Sequence, residues 1–236
     1  MIEPNITERK TANLQASLMS YSPATEEGAL LARIVSIMLH PILMGIYTVA
    51  LLFFYTDFNL IFAGQFLRFL SPVFFLTCVV PLSSMYFLSK SGLMDSYRIN
   101  PSRQRIIPFL ITFISYSLLI YYFHAAKLYV WFISILAVPL ILVVILGVIS
   151  AYWKISIHMA AIGALIGSTL SVCYNVKGVN PFILFIILFI LAGCLGVARL
   201  SLKKNTPAQV YIGFFVGAVV SYLCVLFGAY WGVINL

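Results

Sequence analysis

The sequence predicts an all-α, polytopic transmembrane helix bundle of six to seven spans. Three observations carry this. Hydrophobic residues make up 63% of the 236 and charged residues only 8%, with a mean hydropathy of +1.07; a soluble domain carries about 25% charged residues. Apolar stretches long enough to cross ~30 Å of hydrocarbon, which takes ~20 residues, recur along almost the whole chain. The polar residues between them gather in three short clusters.

Residues 1–28 include Glu3, Glu8, Arg9, Lys10, Glu26 and Glu27 and read as a polar N-terminal tail. A cleavable signal sequence would need a basic start followed by an early apolar stretch. Residues 29–236 read as one transmembrane domain. Its apolar stretches fall near 29–56, 67–90, 107–124, 128–150, 155–175, 180–202 and 208–234. The first carries Pro41 and is long enough to tilt or kink. Pro72 and Pro81 interrupt the second and Pro139 the fourth; membrane helices tolerate proline where neighbours satisfy the freed carbonyls. Gly163 with Gly167, and Gly213 with Gly217, form G-x-x-x-G patterns that let a neighbouring backbone approach closely. Both are expected to pack inside the bundle rather than between copies. Cys78, Cys173, Cys194 and Cys224 sit in apolar runs without C-x-x-C spacing. They read as small packing residues, not as a disulfide framework or a metal site.

The first polar cluster runs from Ser96 to Pro108, the second from Trp153 to His158, and the third from Ala198 to Gln209. Two spans separate each cluster from the next, so all three are expected on one membrane face together with the N-terminus. The C-terminus is expected on the other. The cluster face holds 11 of the 14 Lys and Arg residues; Arg68, Lys127 and Lys177 lie opposite. The positive-inside rule makes the cluster face cytoplasmic.

Cations gathered at a membrane face attract an anion, and arginine's planar fork matches two phosphate oxygens at once. Arg98, Arg103, Arg105, Lys154, Arg199, Lys203 and Lys204 are the cations available, with Asp95 the only nearby acid. His158 could donate a proton to a leaving oxygen, and Ser156 could hydrogen-bond the same group. The expected ligand is a phosphorylated lipid. The bland alternative is a basic loop set that attracts anionic headgroups without chemistry. No metal-ligand spacing, cofactor motif or nucleic-acid motif is present.

Six residues separate Arg98 from Arg105, and Pro108 follows. Ile155-Ser156-Ile157-His158 comes next, and then Ala198-Arg199, five residues, Asn205, three residues and Gln209. In order and spacing the set resembles the type-2 phosphatidic acid phosphatase superfamily, which also includes vanadium haloperoxidases. Its motifs are K-x6-R-P, P-S-G-H and S-R-x5-H-x3-D. The resemblance covers about residues 96–217 and points to a divergent bacterial branch. It implies an integral protein of the bacterial cytoplasmic membrane, a lipid phosphate or polyprenyl diphosphate phosphatase that takes a phospholipid or polyprenyl phosphate and uses no cofactor. Arg98, Arg105, Ser156 and Arg199 would bind phosphate, with Lys154 in a secondary role. His158 would be the general acid, Asn205 occupies the nucleophile position, and Gln209 occupies the orienting position.

Asn205 departs most from the pattern. Its amide nitrogen lone pair is delocalised into the carbonyl, so it cannot act as a covalent nucleophile. Neither His40, in the first span, nor His124, on the far face, is an evident substitute. The chain could be a natural pseudoenzyme, an inactivated variant of a phosphatase, or a catalyst that uses direct attack by water. Outside the enzyme class stand a non-catalytic lipid-phosphate-binding or partner-binding protein and a small transporter. For transport, His40 beside Pro41 is the one ionisable candidate inside a span; it also reads as a kink residue bonded to a neighbour.

The expected orientation is testable by cysteine labelling. After removal of the native cysteines, single cysteines at Ser102 and at Leu236 should react from opposite sides of sealed vesicles, with Ser102 on the cytoplasmic side.

Overall fold

The structure is a computed structural model and describes residues 26–56, 58–90 and 106–234. Among them the chain is helical throughout. Six helices are long and apolar enough to cross a membrane: Glu26–Tyr55, Phe66–Lys90, Val130–Tyr152, Ile157–Lys177, Phe182–Ser201 and Pro207–Gly232. The protein is thus an integral membrane protein of helical bundle type. We label the elements α1 (Glu26–Met38), α2 (Met44–Tyr55), the short α3 (Phe58–Ile61) and α4 (Phe66–Lys90). They continue as α5 (Ile106–Ala125), α6 (Val130–Tyr152), α7 (Ile157–Lys177), α8 (Phe182–Ser201) and α9 (Pro207–Ile234).

The two proline-bearing N-terminal segments break in different ways. The first span stops at Met38 and resumes through a 3-10 turn, Pro41–Leu43, before α2. Proline has no N–H to continue the ladder and disfavours helix at the residue before it; His40 accordingly sits at φ −71° and ψ 140°. α4 stays continuous but widens to a π turn at Phe75–Val79, where the Val80 N–H reaches back five residues to the Phe75 carbonyl. The bulge lies between Pro72 and Pro81. It brings Thr77 and Cys78 into the interior, and the Cys78 thiol donates to the Ile42 carbonyl at 3.3 Å. α6 accommodates Pro139 without interruption.

α7 is the axis of the bundle. Of its apolar stretch 72% is buried inside the protein, against 33% or less for the other five spanning helices. Its largest contact is with α9, and the two G-x-x-x-G patterns make that contact. A Cβ at Gly163 would overlap the Phe214 carbonyl, and one at Gly167 the Ala218 carbonyl. From the other side, a Cβ at Gly217 would overlap the Ala160 carbonyl, and one at Gly213 would stand 2.7 Å from the Ser156 carbonyl. Both patterns therefore face each other within one chain. Nearer the far ends of the helices, α3 closes the bundle with Phe58, fully buried and stacked on Phe132 at 5.5 Å. All four cysteines are free thiols.

Gly217→Val is expected to force α7 and α9 apart, since an over-filled contact costs ~1–3 kcal/mol even where neighbours can yield and a backbone carbonyl cannot. Gly193→Ala, which meets nothing within 4 Å, serves as the control. Thermal unfolding in detergent should show a lower Tm for the first and an unchanged or higher one for the second.

Candidate functional site

The α7–α9 crossing brings the second and third polar clusters together. Lys154 Nζ donates to the Lys204 carbonyl at 2.8 Å, and the Ser156 N–H donates to the Gln209 carbonyl at 3.4 Å. Arg98, Arg103, Arg105 and Asp95 lie outside the described residues. Pro108 falls in the first turn of α5.

The connection between α8 and α9 is two capping motifs joined by one residue. α8 ends in a Schellman motif: the Lys203 N–H bonds the Leu200 carbonyl at 2.9 Å and the Lys204 N–H bonds the Arg199 carbonyl at 3.2 Å. Lys203 takes the left-handed position at φ 50° that glycine usually fills. α9 opens with a capping box. Thr206 Oγ1 accepts the Gln209 N–H at 3.5 Å, and Gln209 Oε1 accepts the Thr206 N–H at 3.1 Å. Pro207 holds the first helical position, where no N–H is needed. Asn205 is the residue left between the motifs.

That position fixes the Asn205 amide from both sides. Its Oδ1 accepts from Arg199 Nε at 3.1 Å, and its Nδ2 donates to Gln209 Oε1 at 3.2 Å. Gln209 Oε1 thus serves the helix cap and side chain 205 together. The Thr206-Pro207-Ala208-Gln209 sequence has capping-box spacing, a signal the sequence reading passed over, and it gives Gln209 a structural role beside the orienting one that the resemblance implies. Arg199 makes this contact through Nε.

His158 is the second residue of α7, and Ser156 is that helix's N-cap. No side chain caps the end: Ser156 Oγ makes no hydrogen bond, although the residue is only 1% exposed. A buried hydroxyl without a partner costs free energy. It lies at the N-terminal end of α7, where the first-turn N–H groups and the positive end of the helix dipole favour anions.

The sequence placed His40 outside the site, and the structure brings it in. Its ring packs edge-on against His158, with centroids 5.1 Å apart and planes at 86°. His40 also bonds within its own kink: Nδ1 accepts the Ile42 N–H at 3.3 Å and caps the 3-10 turn. That bond occupies the Nδ1 lone pair, so the neutral ring carries its proton on Nε2 as a donor. Because His40 and His158 are 118 positions apart in the sequence, only the packing of α2 against α7 could reveal the pair. His124, in the last turn of α5, is exposed.

The structure therefore gathers Lys154, Ser156, His158, Arg199, Asn205 and Gln209, and adds His40. The donors comprise a guanidinium, a neutral imidazole N–H, a hydroxyl and a helix N-terminus, which together suit a multi-oxygen anion. Among the described residues no group of three or more His, Cys, Asp or Glu is arranged to hold a metal ion. Comparison with protein-family models, curated proteins and solved structures finds no match.

Asn205→Ala should leave the Arg199 Nε–H without its acceptor and Gln209 Oε1 without one of its donors. The expected loss is ~1–3 kcal/mol for an interrupted, partly buried network. Thermal unfolding of the purified variant against Asn205→His, which restores a donor there, checks this.

Proposed function

We propose that this protein binds the phosphate of a membrane lipid, a phospholipid or polyprenyl phosphate, at the face formed by the starts of α7 and α9 and the end of α8. In this reading it has a phosphatase-like arrangement without the covalent hydrolytic step. The observation that carries it is the Asn205 amide held between Arg199 and Gln209. The orienting position engages side chain 205 as it would engage a nucleophile, but the amide nitrogen lone pair is delocalised into the carbonyl and Oδ1 is engaged by Arg199, so the side chain offers phosphorus no nucleophile.

The ligand's oxygens would accept from the Arg199 Nη groups, Ser156 Oγ, the first-turn N–H groups of α7 and His40 Nε2. His158 would stand beside the ester oxygen. Arg98 and Arg105 belong to the proposed set through the resemblance. The orphaned Ser156 hydroxyl supports the reading, because a bound oxygen would satisfy it. A phosphatase acting by direct attack of water on the same bound phosphate is the second reading, favoured by the nearness of His158 and His40. The contacts of His40 with His158 and Ile42 match its reading as a kink residue bonded to a neighbour, so the transport reading is not the one proposed. The bacterial cytoplasmic membrane, with the site facing inward, remains the proposed location.

The test uses the full chain in nanodiscs, with phosphatidic acid, phosphatidylglycerol phosphate or undecaprenyl diphosphate as ligand. Binding is expected without phosphate release, weakened roughly tenfold or more by Arg199→Gln, equivalent to ~1.4 kcal/mol. Phosphate turnover by the native chain that disappears in His158→Ala would overturn the non-catalytic reading. Failure to bind any of the three lipids would overturn the binding reading itself.

A further inference from the structure

Next to the chain neighbours of the two histidines, within the bundle, lies a partly open cavity of about 180 Å³. We propose that it houses one hydrocarbon chain of the lipid whose phosphate is bound at the site; the proposal rests on the phosphate reading and names the ligand's apolar part.

Continuity with the site is the first argument. Pro41 and Ile42, which follow His40 in the chain, line the cavity, and so does Ile157, which precedes His158. From there the wall descends one face of α7 through Ile157, Ala161, Ala164 and Ser168, positions that share a helical stripe. At 1.5 Å per residue this wall runs about 16 Å, close to half of a ~30 Å hydrocarbon core. The cavity therefore starts at the headgroup site and reaches about the depth of one leaflet.

The second argument is the character of its lining. The opposite wall comes from α6, with Leu142 and Leu146 around Pro139. Five hydroxyl residues border the space, Thr48, Thr77, Thr112, Tyr116 and Ser168. Thr48 Oγ1 donates to the Met44 carbonyl at 2.8 Å and Ser168 Oγ to the Ala164 carbonyl, each within its own helix. The remaining lining residues are apolar. An apolar cavity of ~150 Å³ accepts benzene, so this slightly larger, mainly apolar one has room for a segment of hydrocarbon chain. Its size admits a segment of one chain. A two-chain lipid would leave its second chain in the bilayer.

Two features of the fold create the space. The break at Leu39–Leu43 removes a turn of regular helix beside α7, and small residues line that side: Gly45, Ala161 and Ala164. The cavity thus combines the N-terminal spans with the part of the chain that carries the polar clusters.

The experiment photolabels the full-length protein in phosphatidylcholine nanodiscs with two diazirine-tailed probes, an alkyl phosphate and an isoprenyl phosphate. The corresponding alcohols are run alongside, and adducts are mapped by peptide mass spectrometry. Labelling is expected on Leu142 and Ala164, and at least tenfold weaker in Ala161→Leu and Ala164→Leu, which fill the space. The two probes identify which chain type enters. Labels spread over the outer, lipid-facing helix surfaces, or labels undiminished by both fillings, would overturn the proposal. Arg199→Gln separates it from the phosphate reading: if this variant labels as well as the native chain while the fillings abolish labelling, the chain site stands and the phosphate site falls. If the melting profiles show that the filled variants do not fold, Leu142→Ala reads the same space in the opposite sense. It should raise labelling by the branched probe at least twofold, and unchanged labelling would overturn the proposal.

Discussion

The close crossing of α7 and α9 is the contact on which the rest of the molecule depends. In lipid, helix association cannot draw on hydrophobic burial and relies on close packing instead. Four glycines supply it, each presenting bare backbone to a carbonyl or backbone atom of the facing helix. Gly213 sits against the Ser156 carbonyl, so the crossing continues up to the first residue of the site. It also fixes the Ser156 N–H on the Gln209 carbonyl. The polar face is thus held by backbone contact rather than by side chains that would have to find one another at the surface.

Upon this crossing, capping supplies the chemistry. A Schellman motif and a capping box end α8 and begin α9 within a few residues. Their backbone groups are satisfied locally, so Arg199, Asn205 and Gln209 meet in fixed positions. The start of α7 is the contrast, with Ser156 as an N-cap that caps nothing. One end of the site is closed upon itself and the other retains donors. That asymmetry is what the proposed anion binding would draw on.

The proline breaks in the first two spans connect the surface to the interior. Pro41 releases α2 from α1 and leaves His40 facing His158, while the π turn of α4 sends the Cys78 thiol to the Ile42 carbonyl freed nearby. Each break costs regular helical hydrogen bonds, which in a membrane must be met by neighbours. Here they are met by the parts of the chain that border the histidine pair and the cavity.

Length and hydropathy alone determined the helical membrane bundle, because a helix satisfies its own backbone and twenty apolar residues need a bilayer. They located the six spanning helices to within a few residues, as in 180–202 against Phe182–Ser201; the further stretch expected at 107–124 is α5, whose described apolar part, Leu110–Ala125, is shorter. The internal pairing of the G-x-x-x-G patterns was expected from sequence; which glycine faces which carbonyl was not. Counting spans put the clusters carrying Ser156, His158 and Arg199 on one membrane face, and the family resemblance added Asn205 and Gln209 to that group. The tertiary structure alone decided that His40 belongs with them, that Asn205 is tied on both sides, and that a cavity lies nearby. These depend on distances between helices far apart in the chain, which are set by glycine contacts and proline breaks acting together and leave no local mark in the sequence.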